Sequence, residues 1–241
     1  DINESLNFSD LIYSFISQLQ KPDTLLALNI HRGFNRIPYL FPKAKYIHII
    51  RDPRDVARSC IGMGWAGNVY FGVEQWIDSE KSWGKLSGVV SLKQILDIKY
   101  EDLVSSPKSS LVKICHFLDI EYSNKMLEYD ADSTYSKPDI SLIFQWKKKL
   151  SSRDIQHVES RTHELMKKYN YVFSGYPLIK VGFFELISLR IKNRLFKIIY
   201  SIKQYGFSLY FKERVTRLFK LKSSNENLKE KMNNIDNTHL K

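Results

Sequence analysis

Residues 46–59 read Tyr-Ile-His-Ile-Ile-Arg-Asp-Pro-Arg-Asp-Val-Ala-Arg-Ser, and within them Arg51 and Ser59 could together hold an anion. A guanidinium presents a planar fork of N–H donors that matches two phosphate oxygens, and a hydroxyl adds a further donor. The intervening residues decide whether the two can meet. The β-rich run Tyr46–Ile50 predicts a buried strand ending at Arg51. Asp52-Pro53 predicts a helix start, with Asp as N-cap and Pro at the first helical position. Arg51 would then stand at the C-terminal edge of a parallel sheet, where open α/β folds bind ligands. Ser59, about two turns into the helix, could reach the same edge. The same residues also allow a structural Arg–Asp ion pair at a helix start, and spacing alone does not separate the two readings.

The surrounding elements follow from hydrophobic periodicity. Residues 8–20 show a helical period at Leu11, Ile12, Phe15, Ile16 and Leu19. Thr24–Asn29 reads as a short apolar strand, residues 33–42 as helical, and Ile95–Tyr100 as another strand. Between them, Val73, Trp76, Ile77, Trp83 and Leu86 form one stripe of a helix over 69–86, which makes Trp76 and Trp83 core residues. Ser106-Pro107 opens a helix with Leu111, Ile114, Cys115 and Leu118 on one face, and Ser151 with Asp154 resembles a capping box for a helix running to Lys168. The glycine-rich stretch Gly62–Gly67 reads as a substrate-side loop or a plain connection. Alternating strands and helices imply an α/β fold with a parallel sheet.

Composition limits the class. The chain has 241 residues, 43% apolar, 13% aromatic and 26% charged, enough for one large domain or one domain with an extension. No apolar run approaches the roughly 20 residues of a membrane-spanning helix. Asp1-Ile2-Asn3-Glu4 lacks the basic and apolar regions of a signal peptide and an initiating methionine, which reads as loss of an upstream segment. Cys60 and Cys115 fall in helical segments as small buried hydrophobes, which suits a reducing compartment and a cytoplasmic location. Of the net charge of +11, nine units lie in residues 178–241, where 14 Lys and Arg face 5 Asp and Glu. A basic charge confined to one end suggests contact with an anionic surface rather than specific nucleic-acid recognition. There Phe183, Phe184, Ile187, Ile191, Leu195 and Ile198 recur at helical spacing, as expected of helices packed on the core with Lys and Arg outside, and the last fifteen or so residues read as a polar, disordered end.

The strand followed by RDPRDVARS resembles the 3'-phosphate motif of sulfotransferases that use 3'-phosphoadenosine 5'-phosphosulfate (PAPS), in which Arg and the Ser eight residues on hold the nucleotide's 3'-phosphate. Ile98-Lys-Tyr-Glu-Asp-Leu103, followed by Pro107 and a helix, is similar to a second family segment, and the resemblance places Tyr100 near the adenine and phosphate. Ser133-Thr-Tyr-Ser-Lys-Pro138 followed by Trp146 is similar to the nucleotide-covering loop of the tyrosylprotein and bacterial branches, which makes Ser133 and Lys137 cofactor contacts. The resemblance spans residues 24–171 and implies a P-loop nucleotide-kinase-like parallel sheet flanked by helices. It also implies transfer of a sulfuryl group from PAPS to a hydroxyl acceptor, whether carbohydrate, small molecule or protein tyrosine, with no metal site.

Two departures qualify it. The family cradles the 5'-phosphosulfate in a Gly-rich loop between the first strand and first helix, and no such loop precedes Arg51. The chain is therefore expected to begin downstream of that loop and to transfer sulfate poorly by itself. Where many members carry Lys at a strand end, this chain has Asn29, with His31 and Arg32 beyond. A His in that neighbourhood serves as general base in small-molecule sulfotransferases, which casts His31 in that role. The expected organisation is an N-terminally truncated α/β domain over residues 1–177 and a basic helical extension over 178–241. The rival readings are an inactive nucleotide-binding fragment or pseudoenzyme, and a basic anion-binding module.

Overall fold

The computed structural model describes residues 7–31, 33–128, 138–219 and 222–239. In chain order come helix α1 (Phe8–Ser17), α2 (Ile37–Leu40), strand β1 (Tyr46–Ile50), α3 (Pro53–Gly62), α4 (Val69–Gly72) and α5 (Glu74–Ser87). They are followed by β2 (Ile95–Lys99), α6 (Tyr100–Ser105), α7 (Pro107–Leu118), α8 (Trp146–Lys149) and α9 (Ser152–Lys168). α10 (Phe183–Tyr205), α11 (Phe207–Leu218) and α12 (Lys222–His239) complete the order. The chain divides into two compact units, one built from residues 1–52 and 75–128, the other from 53–74 and 129–241.

In the first unit β1 and β2 run parallel, in register from Tyr46 opposite Ile95 to Ile50 opposite Lys99. Tyr46, Trp83 and Leu86 form its buried cluster, with Phe34, Ile37, Ala44, Val90 and Ile95 packed against them. A two-residue-wide contact fixes the approach to both strands: Gln94 Nε2 donates to the carbonyls of Pro42 (2.8 Å) and Ala44 (3.0 Å). The expected strand over Thr24–Asn29 does not form. Among the described residues the sheet holds only β1 and β2. Leu25, Leu26 and Leu28 are exposed, in a segment without helix or strand. A strand exists only where a neighbour takes its backbone N–H and C=O groups, and among the described residues no strand pairs with this segment. The α1 helix ends at Ser17 and is capped by Asn7, whose side chain accepts from the N–H groups of Ser9 and Asp10, each at 3.0 Å.

The single helix expected over 69–86 is interrupted at Val73, giving α4 and α5, yet all five residues of its predicted stripe are buried. In the second unit α4 lies against α3. A Cβ on Gly72 would stand 2.5 Å from the carbonyl oxygen of Ala57, so only glycine permits that approach. α9 starts as its sequence predicts: the Ser151 hydroxyl accepts from Asp154 N–H (3.1 Å) and donates to Asp154 Oδ2 (2.7 Å).

The interior of this unit is built on a charge pair. Arg54 is 1% exposed; its Nη1 donates to Glu159 Oε1 at 2.6 Å and its Nη2 to the Val172 carbonyl at 3.0 Å. Its guanidinium also lies 3.6 Å over the Trp146 ring. Glu159 in turn accepts from Ser174 N–H and Ser174 Oγ, both at 2.9 Å. Asp55 accepts from the Trp146 N–H at 2.8 Å, tying α3 to the start of α8. The Gly62–Gly67 stretch, expected to be a substrate-side loop or a plain connection, is the seat of α10. Gly67 N–H donates to Asn193 Oδ1 (2.7 Å) and Asn68 Nδ2 to the Leu189 carbonyl (2.9 Å). Gly64, at φ +74°, leaves room for the Tyr200 ring, which would be 2.2 Å from a Cβ there. The polar end expected to be disordered contains helix α12.

Removing one partner of a buried ion pair strands the other charge in a low-dielectric interior, a loss of about 3–5 kcal/mol. Glu159→Ala should therefore lower the stability of this chain by about that amount in urea denaturation, while the exposed Glu164→Ala changes it by less than about 0.5 kcal/mol. Equal small effects from both would show that the Arg54 pair does not hold the unit together.

Candidate functional site

Parallel register decides which side chains leave the sheet together. Ile50 pairs with Lys99, so the next residues, Arg51 and Tyr100, emerge side by side at the C-terminal edge. The Arg51 guanidinium lies 4.6 Å from the Tyr100 ring centroid, a cation–π distance. The backbone at this point is held from two directions. Trp76 Nε1 donates to the Arg51 carbonyl at 2.9 Å, and the Asp52 N–H donates to the buried Glu101 Oε1 at 2.8 Å. Arg51 itself is only partly buried. The edge thus presents a positioned cation beside an aromatic face, a combination able to take an anion attached to a planar ring.

His48 fixes the strand that carries Arg51. Its Nδ1 lies 2.8 Å from Oδ1 of Asp97, its cross-strand partner, and its Nε2 lies 3.3 Å from Glu80 Oε1 on α5. The imidazole stacks on Trp83 with ring centroids 4.3 Å apart. Burial pulls the imidazole's pKa down. The hydrogen bonds to Asp97 and Glu80 and the fields of both carboxylates outweigh that effect and leave it raised above the ordinary histidine value.

Ser59 belongs to the second unit, on α3, with a different set of neighbours. It lines an open cavity of about 620 Å³ together with Arg58, Asn68, Lys149 and Asp154. Arg58 Nη1 donates to Gln145 Oε1 at 2.5 Å, which ties it to the residue preceding α8. The lining thus offers an anion two cations, a hydroxyl and an amide, against which stands the Asp154 carboxylate that accepts from the Ser151 hydroxyl.

Of the residues singled out from sequence, Arg51 and Tyr100 are brought into contact. His31 is exposed on a stretch without helix or strand, and the strand end that would have presented it is not formed. Ser133 and Lys137 lie outside the described residues. Arg58 and Lys149 were not anticipated, nor were the backbone bonds made by Trp76 and Glu101. The Lys147–Lys149 run after Trp146 was the available signal for Lys149.

Residues 5–124, about half of the chain, match the Sulfotransferase family. A "Putative protein-tyrosine sulfotransferase" of Caenorhabditis elegans is 27% identical over 139 residues, which are 51% of this chain and 52% of that protein. The chain therefore spans about half the length of that curated relative. Two solved structures share the fold. The sulfotransferase domain from the Synechococcus PCC 7002 olefin synthase has a TM-score of 0.58 at 24% identity, covering 68% of this chain and 64% of that one. The sulfotransferase domain from the curacin biosynthetic pathway has a TM-score of 0.54 at 20% identity, covering 67% and 68%. The mixed α/β arrangement with a small parallel sheet is thus that of sulfotransferase domains.

The His48 cluster makes a pH prediction with a definite sign. A group whose pKa is raised on folding adds stability that is complete below its unfolded value of about 6.5 and is lost as pH rises through the folded value. Unfolding free energy should therefore decline from pH 6 upward through that window, and His48→Gln should flatten the decline. A wild-type profile that rises across the same window, or a His48→Gln profile of unchanged slope, would contradict the assignment.

Proposed function

The chain belongs to the sulfotransferase family, and from that premise we propose that it moves a sulfuryl group from PAPS to a hydroxyl-bearing acceptor. The observation that carries this reading is the Arg51 guanidinium 4.6 Å over the Tyr100 ring at the C-terminal edge of the parallel pair. A nucleotide carrying a 3'-phosphate offers both groups that such an edge can take, a dianion for the guanidinium and a planar base for the aromatic face. In this reading Arg51 pairs with the 3'-phosphate, Tyr100 borders the adenine, and the Ser59 hydroxyl adds a donor. Ser133 and Lys137 would contribute from the segment between α7 and α8.

The donor supplies a sulfuryl group activated by its bond to the 5'-phosphate. An acceptor oxygen attacks the sulfur in line, the sulfur–oxygen bond to the phosphate breaks, and adenosine 3',5'-bisphosphate leaves with the electron pair. The acceptor's proton passes to a base, for which His31 is the candidate. This chain's residues contribute by binding and orienting the nucleotide through its 3'-phosphate and base, while the loop that cradles the 5'-phosphosulfate in the family has no counterpart ahead of Arg51 in this sequence. The name of the Caenorhabditis elegans relative makes a protein tyrosine the first acceptor to try.

A charge-assisted hydrogen bond contributes roughly 1.5–3 kcal/mol, so adenosine 3',5'-bisphosphate should bind at least about tenfold more tightly than AMP. Arg51→Ala should cut this preference at least about fivefold while leaving AMP binding nearly unchanged, because the Arg51 contact to the 3'-phosphate is lost and the Ser59 contact remains. Isothermal titration calorimetry reads both. Equal affinities in the wild type, or a preference left undiminished by Arg51→Ala, would overturn the assignment of the 3'-phosphate to this edge.

A further inference from the structure

α10 has two faces with opposite commitments. Leu189, Asn193, Phe196 and Tyr200 dock on residues 64–68, through the hydrogen bonds of Asn193 and of the Leu189 carbonyl and the close approach of Tyr200 and Phe196 to Gly64 and Gly67. That docking fixes which side of the helix turns outward. On the outward side Phe183 is 72% exposed, Phe184 84%, Ile191 55%, Leu195 53% and Ile199 54%. Of the stripe read from sequence as packing on the core, Ile198 is half-buried and the rest is left exposed; at 100° per residue the exposed run from Ile187 through Ile191, Phe184 and Leu195 to Ile199 occupies a continuous arc of about 120°.

The rows bordering the arc are cationic. Lys197, Arg190 and Arg194 follow one edge of the arc and Lys192 and Lys203 the other, all exposed, and Arg194 and Lys197 also line a cavity with Glu213 of α11 and Asp236 of α12. The sole acid of α10 is Glu185, which is occupied by Arg153 (2.9 and 2.6 Å) and by His157 Nε2 (2.9 Å). α11 continues the pattern, with Phe207 66% and Phe211 55% exposed and Lys212 and Arg214 beside them.

We propose that the outward face of α10, continued by α11, is a docking surface for an anionic lipid bilayer, on which the helix lies in the interfacial plane. An apolar arc this large asks for hydrocarbon, and the cationic rows on both of its sides ask for negative headgroups. A second copy of the chain would satisfy the apolar arc but would set cationic row against cationic row with no further acid on α10 to answer them. A nucleic acid would satisfy the rows but leave Phe183, Phe184 and Ile191 in water. The helix lies on the surface rather than across it: among the described residues no helix is long and apolar enough to cross a membrane. The proposal is independent of the nucleotide reading, since none of its residues belongs to the Arg51 edge.

The test is flotation of the full chain with vesicles of phosphatidylcholine alone and of phosphatidylcholine with phosphatidylserine. Binding should be at least about tenfold stronger to the vesicles with phosphatidylserine and should weaken as salt is raised. Each cation near an anionic surface is worth about fivefold in partition, so Arg190→Ala/Arg194→Ala/Lys197→Ala should reduce binding roughly a hundredfold. Phe184→Ser/Ile191→Ser, which touches only exposed positions, should reduce it at least about tenfold with circular dichroism and bisphosphate affinity unchanged. Absent or equal binding to the two vesicle types would overturn the proposal, as would full binding by the Phe184→Ser/Ile191→Ser variant. So would a dimer in sedimentation velocity that this variant dissolves, or RNA binding that the variant retains in place of vesicle binding.

Discussion

Residues 52–55 are four consecutive buried positions of which three are charged, and a buried charge must be paired. Much of the described structure follows from meeting that demand. The peptide N–H of Asp52, a residue 0% exposed, donates to the buried Glu101 carboxylate; this is a bond of the backbone and not of the Asp52 carboxylate, and it fixes the first turn of α6 against the end of β1. Arg54 requires Glu159 and therefore requires α9 to run past α3, and Glu159 then captures Ser174 in the segment that leads toward α10. Asp55 holds the first N–H of α8, whose Trp146 ring lies on the Arg54 guanidinium. A polar segment that would be a solvated turn in most chains thus acts here as an organising centre.

What was legible in the sequence was the local part of this arrangement. β1, β2, the helix start at Pro53, the cap at Ser151 and the buried stripe through Trp76 and Trp83 each depend on residues within one or two turns of each other. The partners were not legible because they lie far along the chain. Glu159 is 105 residues from Arg54 and Trp146 is 91 from Asp55, and nothing in either neighbourhood announces the other. The same reason explains the misjudged strand over Thr24–Asn29: an apolar run states that a segment can be buried, while a ladder partner decides whether it becomes a strand. At the candidate site, Arg51 and Tyr100 could be paired because each follows a parallel strand directly. The Arg58 and Lys149 lining could not, since it is brought together by packing of α3 with the α8 region.

Amphipathic periodicity has a similar ambiguity, and α10 resolves it in an unexpected direction. Phe183, Phe184, Ile187, Ile191 and Leu195 give the pattern of a helix that covers a core, and the helix does cover one, but with its other side. The docking side uses an Asn, a Tyr and two close approaches to glycine in place of an aliphatic row. Hydrogen bonds from Gly67 and Asn68 orient the helix by direction as well as by burial, so the aliphatic row is free to face outward. The excess positive charge of residues 178–241 then falls beside an exposed apolar surface.

The segment from Arg51 to Ser59 therefore mixes two kinds of residue that a motif writes in one line. Arg54 and Asp55 are sealed inside and hold helices, and their replacement acts on stability whatever the chemistry of the site. Arg51 and Ser59 keep part of their surface open. The two kinds are linked, because Arg51 can offer a fixed guanidinium only while the peptide after it is anchored through Asp52 N–H and Glu101, and while Trp76 holds its own carbonyl. An arginine on an unanchored loop would surrender side-chain and backbone freedom on meeting an anion, which subtracts from the affinity its charge can supply. Glu101 and Trp76 thus do for Arg51 what a rigid scaffold does for a binding loop: they place the cation before the ligand arrives.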